Sequence, residues 1–171
     1  MSDNVAAHDS ASGPKHLAEL QTMCDAPELA LTRAHADDAG LDLASAIDYE
    51  LAPGERALIP TGVRIALPPA TVGFVCPRSG LAAKHGITIV NGPGVVDEGY
   101  RGELKVALLN TDRIETLRIA RGDRIAQMVI VPIVRPTIVE VQSLDPAERG
   151  EAGFGSSGGF SSPSNGQENE A

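Results

Sequence analysis

The sequence predicts an all-β fold, and three observations support this prediction. Short apolar runs rich in β-branched residues recur along the chain, as at residues 87–90 and 123–134. Glycine and proline, with 18 and 12 copies, recur between these runs and are typical of the turns that connect strands. Aromatic residues make up only 3% of the chain and tryptophan is absent. The core is therefore expected to consist of valine, isoleucine, leucine and alanine.

The candidate strands follow from alternating or continuous apolar runs that end at turn residues. Turn pairs such as Pro53-Gly54 and Pro68-Pro69 separate them. One helical turn is predicted at residues 82–85. Residues 87–106 read as strand, turn, short strand, turn, strand, with the form of a hairpin. The other candidate strands are residues 28–32, 41–43, 47–51, 56–60, 62–67, 72–76, 114–119, 123–134 and 137–141.

Composition limits the partners and the compartment. A chain of 171 residues suits one domain that buries roughly two-thirds of its unfolded surface. The formal net charge of −9 argues against nucleic acid as a partner. Cys24 and Cys76 form neither a disulfide framework nor a metal-ligand spacing, which favours a reducing compartment. The sequence contains neither a signal-peptide pattern nor a membrane-spanning run, so we expect a cytoplasmic protein with no membrane contact.

The composition also predicts the domain organisation. Residues 1–16 are polar and small, and we expect a disordered extension there. Residues 17–145 are expected to form the all-β core. Residues 146–160 are rich in glycine and serine and form a candidate flexible arm, and residues 161–171 form a disordered tail.

Polar residues gather where the strands of the 87–106 stretch end. Asn91 offers an amide, Asp97 a carboxylate, Tyr100 an aromatic ring with a hydroxyl, and Arg101 a fork that matches phosphate. A solvated hairpin tip and a ligand site are both compatible with this set.

A second candidate site is the turn that follows the strand at residues 72–76. Arg78, Ser79 and the open backbone N–H groups around Gly80 are typical of an anion-binding concavity. Asp42 is a weaker candidate, because a solvent-facing carboxylate on an edge strand explains it equally well. Asp123 is predicted to cap a turn. Gln127 interrupts an apolar strand and is the better candidate for a ligand contact.

The glycine-rich arm has two interpretations. Composition alone favours a disordered tail. A closing lid would need the same residues, since glycines let a segment fold over a ligand and Phe154 can stack on a flat ring. Arg149, Ser156 and Ser157 can hold phosphate oxygens.

Five short motifs in fixed order resemble those of the trimeric dUTPase (deoxyuridine 5'-triphosphate nucleotidohydrolase) family of bacterial type. The resemblance covers about residues 17–160, and one departure is Ala152, where the family usually has glycine. The motifs are Ala39-Gly-Leu-Asp-Leu43, Pro77-Arg-Ser-Gly-Leu81, Gly94-Val-Val-Asp-Glu-Gly-Tyr-Arg-Gly-Glu103, Arg121-Gly-Asp-Arg-Ile-Ala-Gln127 and Arg149-Gly-Glu-Ala-Gly-Phe-Gly-Ser-Ser-Gly158.

The resemblance implies a distorted antiparallel β-barrel of jelly-roll type and a homotrimer with shared active sites. The first, second and fourth motifs would come from one chain, the hairpin of residues 87–106 from a second, and the arm from a third. The implied reaction hydrolyses dUTP to dUMP and pyrophosphate, which keeps uracil out of DNA and supplies dUMP for dTMP synthesis. Mg²⁺ would ride on the triphosphate without a direct protein ligand, and Asp42 would touch its waters.

The resemblance also implies roles for individual residues. The residues implied in catalysis are Asp97 as the general base, with Asp42, Arg78 and Gln127. The residues implied in substrate binding are Arg78, Ser79, Gly80, Asn91, Gly94, Val95, Val96, Asp97, Tyr100, Lys105, Gln127, Arg149, Phe154, Gly155, Ser156 and Ser157. Tyr100 would lie against the sugar and leave no room for a 2′-hydroxyl. Lys105 reads equally well as a solvated strand residue.

Three other interpretations fit part of the sequence. A dCTP deaminase shares the fold and some motifs, but the turn at residues 77–80 and the complete arm favour a dUTPase. A nucleotide-binding or partner-binding barrel without activity would not need an intact Asp97. A purely structural jelly roll would not explain five polar motifs at turn positions.

Overall fold

The computed structural model describes residues 19–146 of the chain, and within this range the all-β prediction is confirmed. One α-helix, α1 (Ser79–His85), and one 3₁₀-helix (Pro27–Leu29) accompany the strands. The strands are β1 (Gln21–Cys24), β2 (Leu41–Ala44), β3 (Tyr49–Leu51), β4 (Arg56–Pro60), β5 (Val63–Ala66), β6 (Thr71–Cys76), β7 (Ile87–Ile89), β8 (Gly94–Val96), β9 (Lys105–Asn110), β10 (Leu117–Ile119) and β11 (Arg124–Pro132).

All strand pairs among the described residues are antiparallel, and they form four small sheets. The largest sheet has the order β2-β11-β6-β8, and a second has the order β4-β9-β7. The pairs β1-β5 and β10-β3 complete the set. One cluster of buried leucine, isoleucine and valine side chains, with Met128, fills the core. Short antiparallel strands around one aliphatic core form a distorted barrel of jelly-roll type, as predicted.

The order of elements in residues 87–106 is as predicted, but the stretch is not a simple hairpin. β7 pairs with β9, whereas β8 pairs with β6 in the other sheet. The turn at residues 90–93, with a cis bond between Gly92 and Pro93, therefore carries the chain from one sheet to the other.

Helix α1 begins three residues earlier than predicted. Arg78 is extended, and its carbonyl oxygen accepts the first helical hydrogen bond from Ala82 at 3.0 Å. Gly86 ends the helix in the left-handed conformation, with φ of 63°, and its N–H donates to the Ala82 carbonyl oxygen. The helix thus occupies all of the segment between β6 and β7 except Pro77, Arg78 and Gly86.

Two strand predictions are wrong, and one strand was missed. Residues 28–32 form no strand, because Pro27 begins a 3₁₀-helix there and Thr32 makes only an isolated bridge to Asp42. Residues 137–141 pair with none of the residues that the structure describes, and their side chains are exposed. An apolar alternation alone does not make a strand, since the backbone also needs a neighbour. β1 was not predicted, because all four of its side chains are exposed.

Residues 19–135 belong to one compact unit, and residues 136–146 belong to a second. No helix within residues 19–146 is long and apolar enough to cross a membrane.

Candidate functional site

The predicted site residues line two separate cavities. The first, here the Tyr100 cavity, has a volume of about 300 Å³, and the second, the Arg78 cavity, of about 520 Å³. None of the described residues lines both. The predicted residues in the Tyr100 cavity are Asn91, Gly94, Val95, Val96, Asp97, Tyr100 and Lys105. Those in the Arg78 cavity are Asp42, Ser79, Gly80, Gln127 and Arg78 itself.

The Tyr100 cavity lies beside β8 and the turn that follows it. The Tyr100 N–H donates to the Asp97 carbonyl oxygen at 3.0 Å and closes this turn. The Asp97 side chain is exposed at its rim. Buried Val96 and Val106 contribute apolar floor, while Asn91 offers both a donor and an acceptor. A flat apolar ring with polar edges is the kind of molecule that this lining suits.

One edge of this cavity is held by Glu103. Its Oε1 accepts a hydrogen bond from the Gly62 N–H at 2.9 Å, and its Oε2 lies 3.8 Å from Nζ of Lys105. The Lys105 side chain is about half exposed. The ion pair keeps the Lys105 ammonium near the cavity and leaves it accessible to an anionic group.

The Arg78 cavity is organised around the carboxylate of Asp42. Its Oδ1 lies 3.2 Å from Nε of Arg78, and its Oδ2 lies 3.0 Å from Nη1 of Arg124. The Asp42 side chain is only 12% exposed, so its charge is stabilised mainly by these two guanidinium groups. Arg78 also donates from Nη1 to the Arg124 carbonyl oxygen at 2.9 Å. Asp42 is therefore not the solvent-facing residue that an edge strand would also have allowed.

Gln127 links the same cavity to the turn before α1. Its Nε2 donates to the Pro77 carbonyl oxygen at 2.9 Å. On the other side, a Cβ on Gly40 would lie 2.5 Å from Oε1 of Gln127, so only glycine leaves room for this amide. The strand register brings the first, second and fourth motifs together. Gln127 of the fourth motif pairs with Asp42 of the first, and also with Cys76, which directly precedes the second.

The donor set of the Arg78 cavity suits phosphate oxygens. Arg78 presents a guanidinium group, and the first N–H groups of α1 have no partner within the helix. Residues 19–146 contain no group of three or more histidine, cysteine, aspartate or glutamate side chains that could hold a metal ion. Both carboxylate oxygens of Asp42 are already engaged by arginine. A cation would therefore be held here through a bound phosphate and water rather than by a protein cage.

Arg101 and Asp123 serve the fold. Arg101 donates from Nη1 to the carbonyl oxygens of Glu98 and Tyr100, at 2.6 and 2.7 Å, and it lines a different cavity beside Met23. Its position lends no support to a phosphate contact, because Arg101 lines neither the Tyr100 cavity nor the Arg78 cavity. Asp123 accepts a hydrogen bond from the Ala120 N–H at 2.8 Å, which confirms the predicted turn cap.

Five predicted site residues lie outside the described residues, and the predicted arm with them. They are Arg149, Phe154, Gly155, Ser156 and Ser157. Sequence reasoning gave no role to Glu103 or Arg124, although both stand in recognised motifs. Their partners Gly62 and Asp42 are 41 and 82 residues away in sequence, so no local pattern could reveal the contacts.

Glu98, next to Asp97, anchors the turn of the Tyr100 cavity. Its Oε2 accepts hydrogen bonds from Nη2 of Arg135 at 2.5 Å and from the Ala70 N–H at 2.9 Å. The pKa of the Glu98 carboxyl lies below its ordinary value of 4.5. The hydrogen bond from Arg135 is the main cause, and the hydrogen bond from the Ala70 N–H is the second. The turn is thereby tied to the end of the compact unit.

A Glu98→Gln variant is expected to be less stable than the original chain at neutral pH but not in acid. Because folding lowers the pKa of Glu98, its contribution is complete above the ordinary carboxyl pKa and is lost as the pH falls through the folded value. Thermal unfolding between pH 7 and pH 3 measures this, with Glu50→Gln as the control, since the Glu50–Arg118 pair is highly exposed. A Tm difference that stays constant over this range would contradict the expectation.

Comparison with known proteins agrees with this geometry. The dUTPase family model matches residues 28–158. The chain is 58% identical over 134 residues to the deoxyuridine 5'-triphosphate nucleotidohydrolase of Thermobifida fusca, covering 78% of this chain and 75% of that protein. It is 56% identical over 142 residues to the protein of the same name from Mycolicibacterium gilvum, covering 80% of this chain and 92% of that protein.

Solved structures of phage proteins resemble the chain in fold. A mutant of the Staphylococcus bacteriophage 80alpha dUTPase with dUpNHpp has a TM-score of 0.75 and 33% identity, over 82% of this chain and 98% of that chain. A mutant dUTPase of the S. aureus phage phi11, described with a structural Mg(II) ion, has a TM-score of 0.69 and 30% identity, over 75% of this chain and 100% of that chain. Together with the five motifs of the sequence, these matches show that the chain belongs to the dUTPase family.

Proposed function

We propose that the protein hydrolyses dUTP to dUMP and pyrophosphate. The observation that carries this proposal is that the two cavities have different chemical linings. The Tyr100 cavity offers an apolar floor with amide and carboxylate groups, and the Arg78 cavity offers guanidinium and backbone N–H donors. A nucleoside and a triphosphate need these two environments respectively. Relatives named for hydrolysis of deoxyuridine 5'-triphosphate, and a phage relative solved with a dUTP analogue, support the same substrate.

The complete site would form between copies of the chain in a homotrimer. Neither cavity alone holds all the groups that the reaction needs, and they share no lining residue within the described range. Leu58 and Val95 beside the Tyr100 cavity are more than 60% exposed, so a second copy would also cover apolar surface there. In this arrangement Arg78 of one chain faces the Asp97 turn of another. The arm with Arg149, Phe154, Gly155, Ser156 and Ser157 would come from a third chain.

Asp97 would activate the water. Its carboxylate accepts a proton as the water oxygen forms a bond to the α-phosphorus, in line with the bond from that phosphorus to the bridging oxygen of the β-phosphate. That bond breaks and its electron pair leaves with pyrophosphate. The exposed side chain at the rim of the Tyr100 cavity leaves space for a water beside the carboxylate. A positioned general base is typically worth about 10² to 10⁴ in rate.

The Arg78 cavity would stabilise the phosphoryl charge. Arg78 contributes a guanidinium group that Asp42 already orients, and preorganised donors avoid reorganisation during the reaction. Ser79 and Gly80 supply N–H groups at the start of α1, and the Ser79 hydroxyl adds a further donor. Gln127 holds the turn through the Pro77 carbonyl oxygen and lines the same space.

Magnesium fits this site as a partner of the substrate. Asp42 would contact it through water, since both oxygens of this carboxylate are paired with arginine. When bound to the triphosphate, Mg²⁺ would neutralise phosphate charge and favour departure of pyrophosphate. The residues themselves hold the phosphates and the water in place.

Substrate selection would fall to the Tyr100 cavity. The Asn91 amide and the backbone around Gly94, Val95 and Val96 would pair with the uracil edge. A base with the wrong donors would leave buried polar groups unpaired. Tyr100 would press against the sugar and exclude a 2′-hydroxyl. Lys105 lies at the same cavity and would add positive charge.

The proposed reaction also suggests a cellular role. Removal of dUTP keeps uracil out of DNA, and the dUMP formed supplies dTMP synthesis. A cytoplasmic location suits this role, and Cys24 and Cys76, both within the described residues, form no disulfide.

Incubation with dUTP, dCTP or UTP in the presence of Mg²⁺ tests the proposed activity through its products. We expect dUMP and pyrophosphate from dUTP, and little turnover of the other two, because the cavity discriminates both base and sugar. Chromatography identifies which nucleotides are formed from each substrate. Deoxyuridine nucleotides formed from dCTP would indicate a deaminase instead, and bound but unreacted dUTP would indicate a binding protein.

An Asp97→Asn variant is expected to bind dUTP with nearly unchanged affinity and to lose about 10² to 10⁴ in kcat, because the amide cannot accept the water proton. Calorimetric binding and single-turnover rates separate the two effects. Asp25→Asn is the matched control, since Asp25 pairs with Arg64 at the surface, outside both cavities. Near-normal turnover in folded Asp97→Asn would refute the role.

A further inference from the structure

We propose that Gly102 positions the Tyr100 ring and thereby sets the discrimination between deoxyribose and ribose. This inference deepens the proposed function and rests on it. Gly102 lines neither the Tyr100 cavity nor the Arg78 cavity, and the three atoms nearest to a Cβ added there all belong to Tyr100, so its effect would pass through that residue. It is a positioning residue in this account.

The first observation is a close approach between Gly102 and the end of the Tyr100 ring. A Cβ on Gly102 would lie 2.7 Å from Cζ and 3.0 Å from Cε2 of Tyr100, and closer still to its hydroxyl oxygen. Non-bonded carbon atoms prefer about 3.5 to 4.0 Å. Any other residue at position 102 would therefore have to displace the ring end by roughly 1 Å.

The second observation is the anchor of the hydroxyl group. Oη of Tyr100 donates to the Glu103 carbonyl oxygen at 2.9 Å, which lies directly beyond Gly102. The backbone of Tyr100 is held at the other end, where its N–H donates to the Asp97 carbonyl oxygen. The ring is thus fixed at its root and at its tip, and it can lie against Gly102 only because that residue lacks a side chain.

The third observation is that the ring can move without disturbing the core. Tyr100 is 45% exposed and lines the cavity, so a displaced ring would move in solvent and in the substrate space. A tyrosine has two side-chain torsions, so a shift of its tip rotates the whole ring. Such a rotation changes the space beside the sugar, where the enzyme must distinguish ribose, which has a 2′-hydroxyl, from deoxyribose, which lacks it.

The backbone at position 102 places no demand of its own for glycine. Gly102 is absent from the described glycines with positive φ, so alanine fits the main chain. Gly99, three residues earlier in the same segment, has open space on this side, since a Cβ added there would meet no atom within 4 Å. A side chain at position 102 would therefore collide with Tyr100, whereas a side chain at position 99 would not, and Gly99 can serve as the control.

The test compares Gly102→Ala with Gly99→Ala, using dUTP and UTP as substrates and dUMP and UMP as ligands. The ratio of kcat/KM for dUTP over UTP is expected to fall at least about tenfold in Gly102→Ala, a magnitude typical of a misplaced steric contact. The ratio of the Kd values for UMP and dUMP should fall in parallel. Gly99→Ala should leave both ratios unchanged.

A double variant shows whether Gly102 acts through Tyr100. Tyr100→Ala alone is expected to relax the sugar discrimination, and adding Gly102→Ala to it should change nothing further, because the ring that collides is gone. Tyr100→Phe removes the anchor to Glu103 without adding an atom, and it should loosen discrimination in the same direction. This variant keeps the test decisive if Gly102→Ala folds poorly.

The outcomes separate this inference from the proposed function. An original chain that fails to hydrolyse dUTP overturns the proposed activity, while the dUMP and UMP affinities still test the role of Gly102. Unchanged ratios in both Gly102→Ala and Tyr100→Phe would overturn the inference and leave the activity intact. An additive effect in the double variant would also overturn it, because it would show that Gly102 acts without Tyr100.

Discussion

The pairing of β11 with two neighbours is the constraint on which the Arg78 cavity depends. Gln127 stands opposite Asp42 on one side and Cys76 on the other. This register lets the turn that begins at Pro77 meet both groups, because the Gln127 amide donates to the Pro77 carbonyl oxygen and the Asp42 carboxylate pairs with Arg78. A slip of one residue would turn every side chain of a strand to the opposite face of the sheet. The register of β11 with β2 and β6 therefore determines the fold and also which side chains meet at the Arg78 cavity.

The charges of the Arg78 cavity are the second feature that prepares it for a ligand, after the pairing of β11 with β2 and β6. The formal net charge of the chain is −9, yet the nearly buried carboxylate of the Arg78 cavity is paired with two guanidinium groups, that of Arg78 in the lining and that of Arg124 behind it. The local charge is set by this cluster and opposes the sign of the whole chain. An acidic protein can thus receive a polyanion, provided that the arginines are preorganised. Asp42 supplies that preorganisation, and it leaves the remaining donors of Arg78 for a ligand.

Features with a local signal could be predicted from the sequence. The Asp123 cap and the strand at residues 56–60 agree with the structure, since turn chemistry and apolar runs lie within a few residues. Features that depend on distant partners could not. The exposed strand β1 carries no apolar pattern, and the apolar residues 137–141 have no neighbour strand among the described residues. The contact of Arg124 with Asp42 required the three-dimensional arrangement, because the two residues are 82 positions apart in the sequence. The contact of Gly102 with Tyr100 is local, but it depends on the conformation of the turn and of the tyrosine ring, which the sequence does not show.

The central claim is that the two cavities become one site between copies of the chain. Co-expression of two inactive variants, Arg78→Ala and Asp97→Asn, tests this claim most directly. Each variant keeps one cavity intact, so a mixed assembly contains some sites with Arg78 from one chain and Asp97 from another. The account predicts that the mixture hydrolyses dUTP far faster than either variant alone. Activity no greater than the sum of the two separate variants would contradict a shared site.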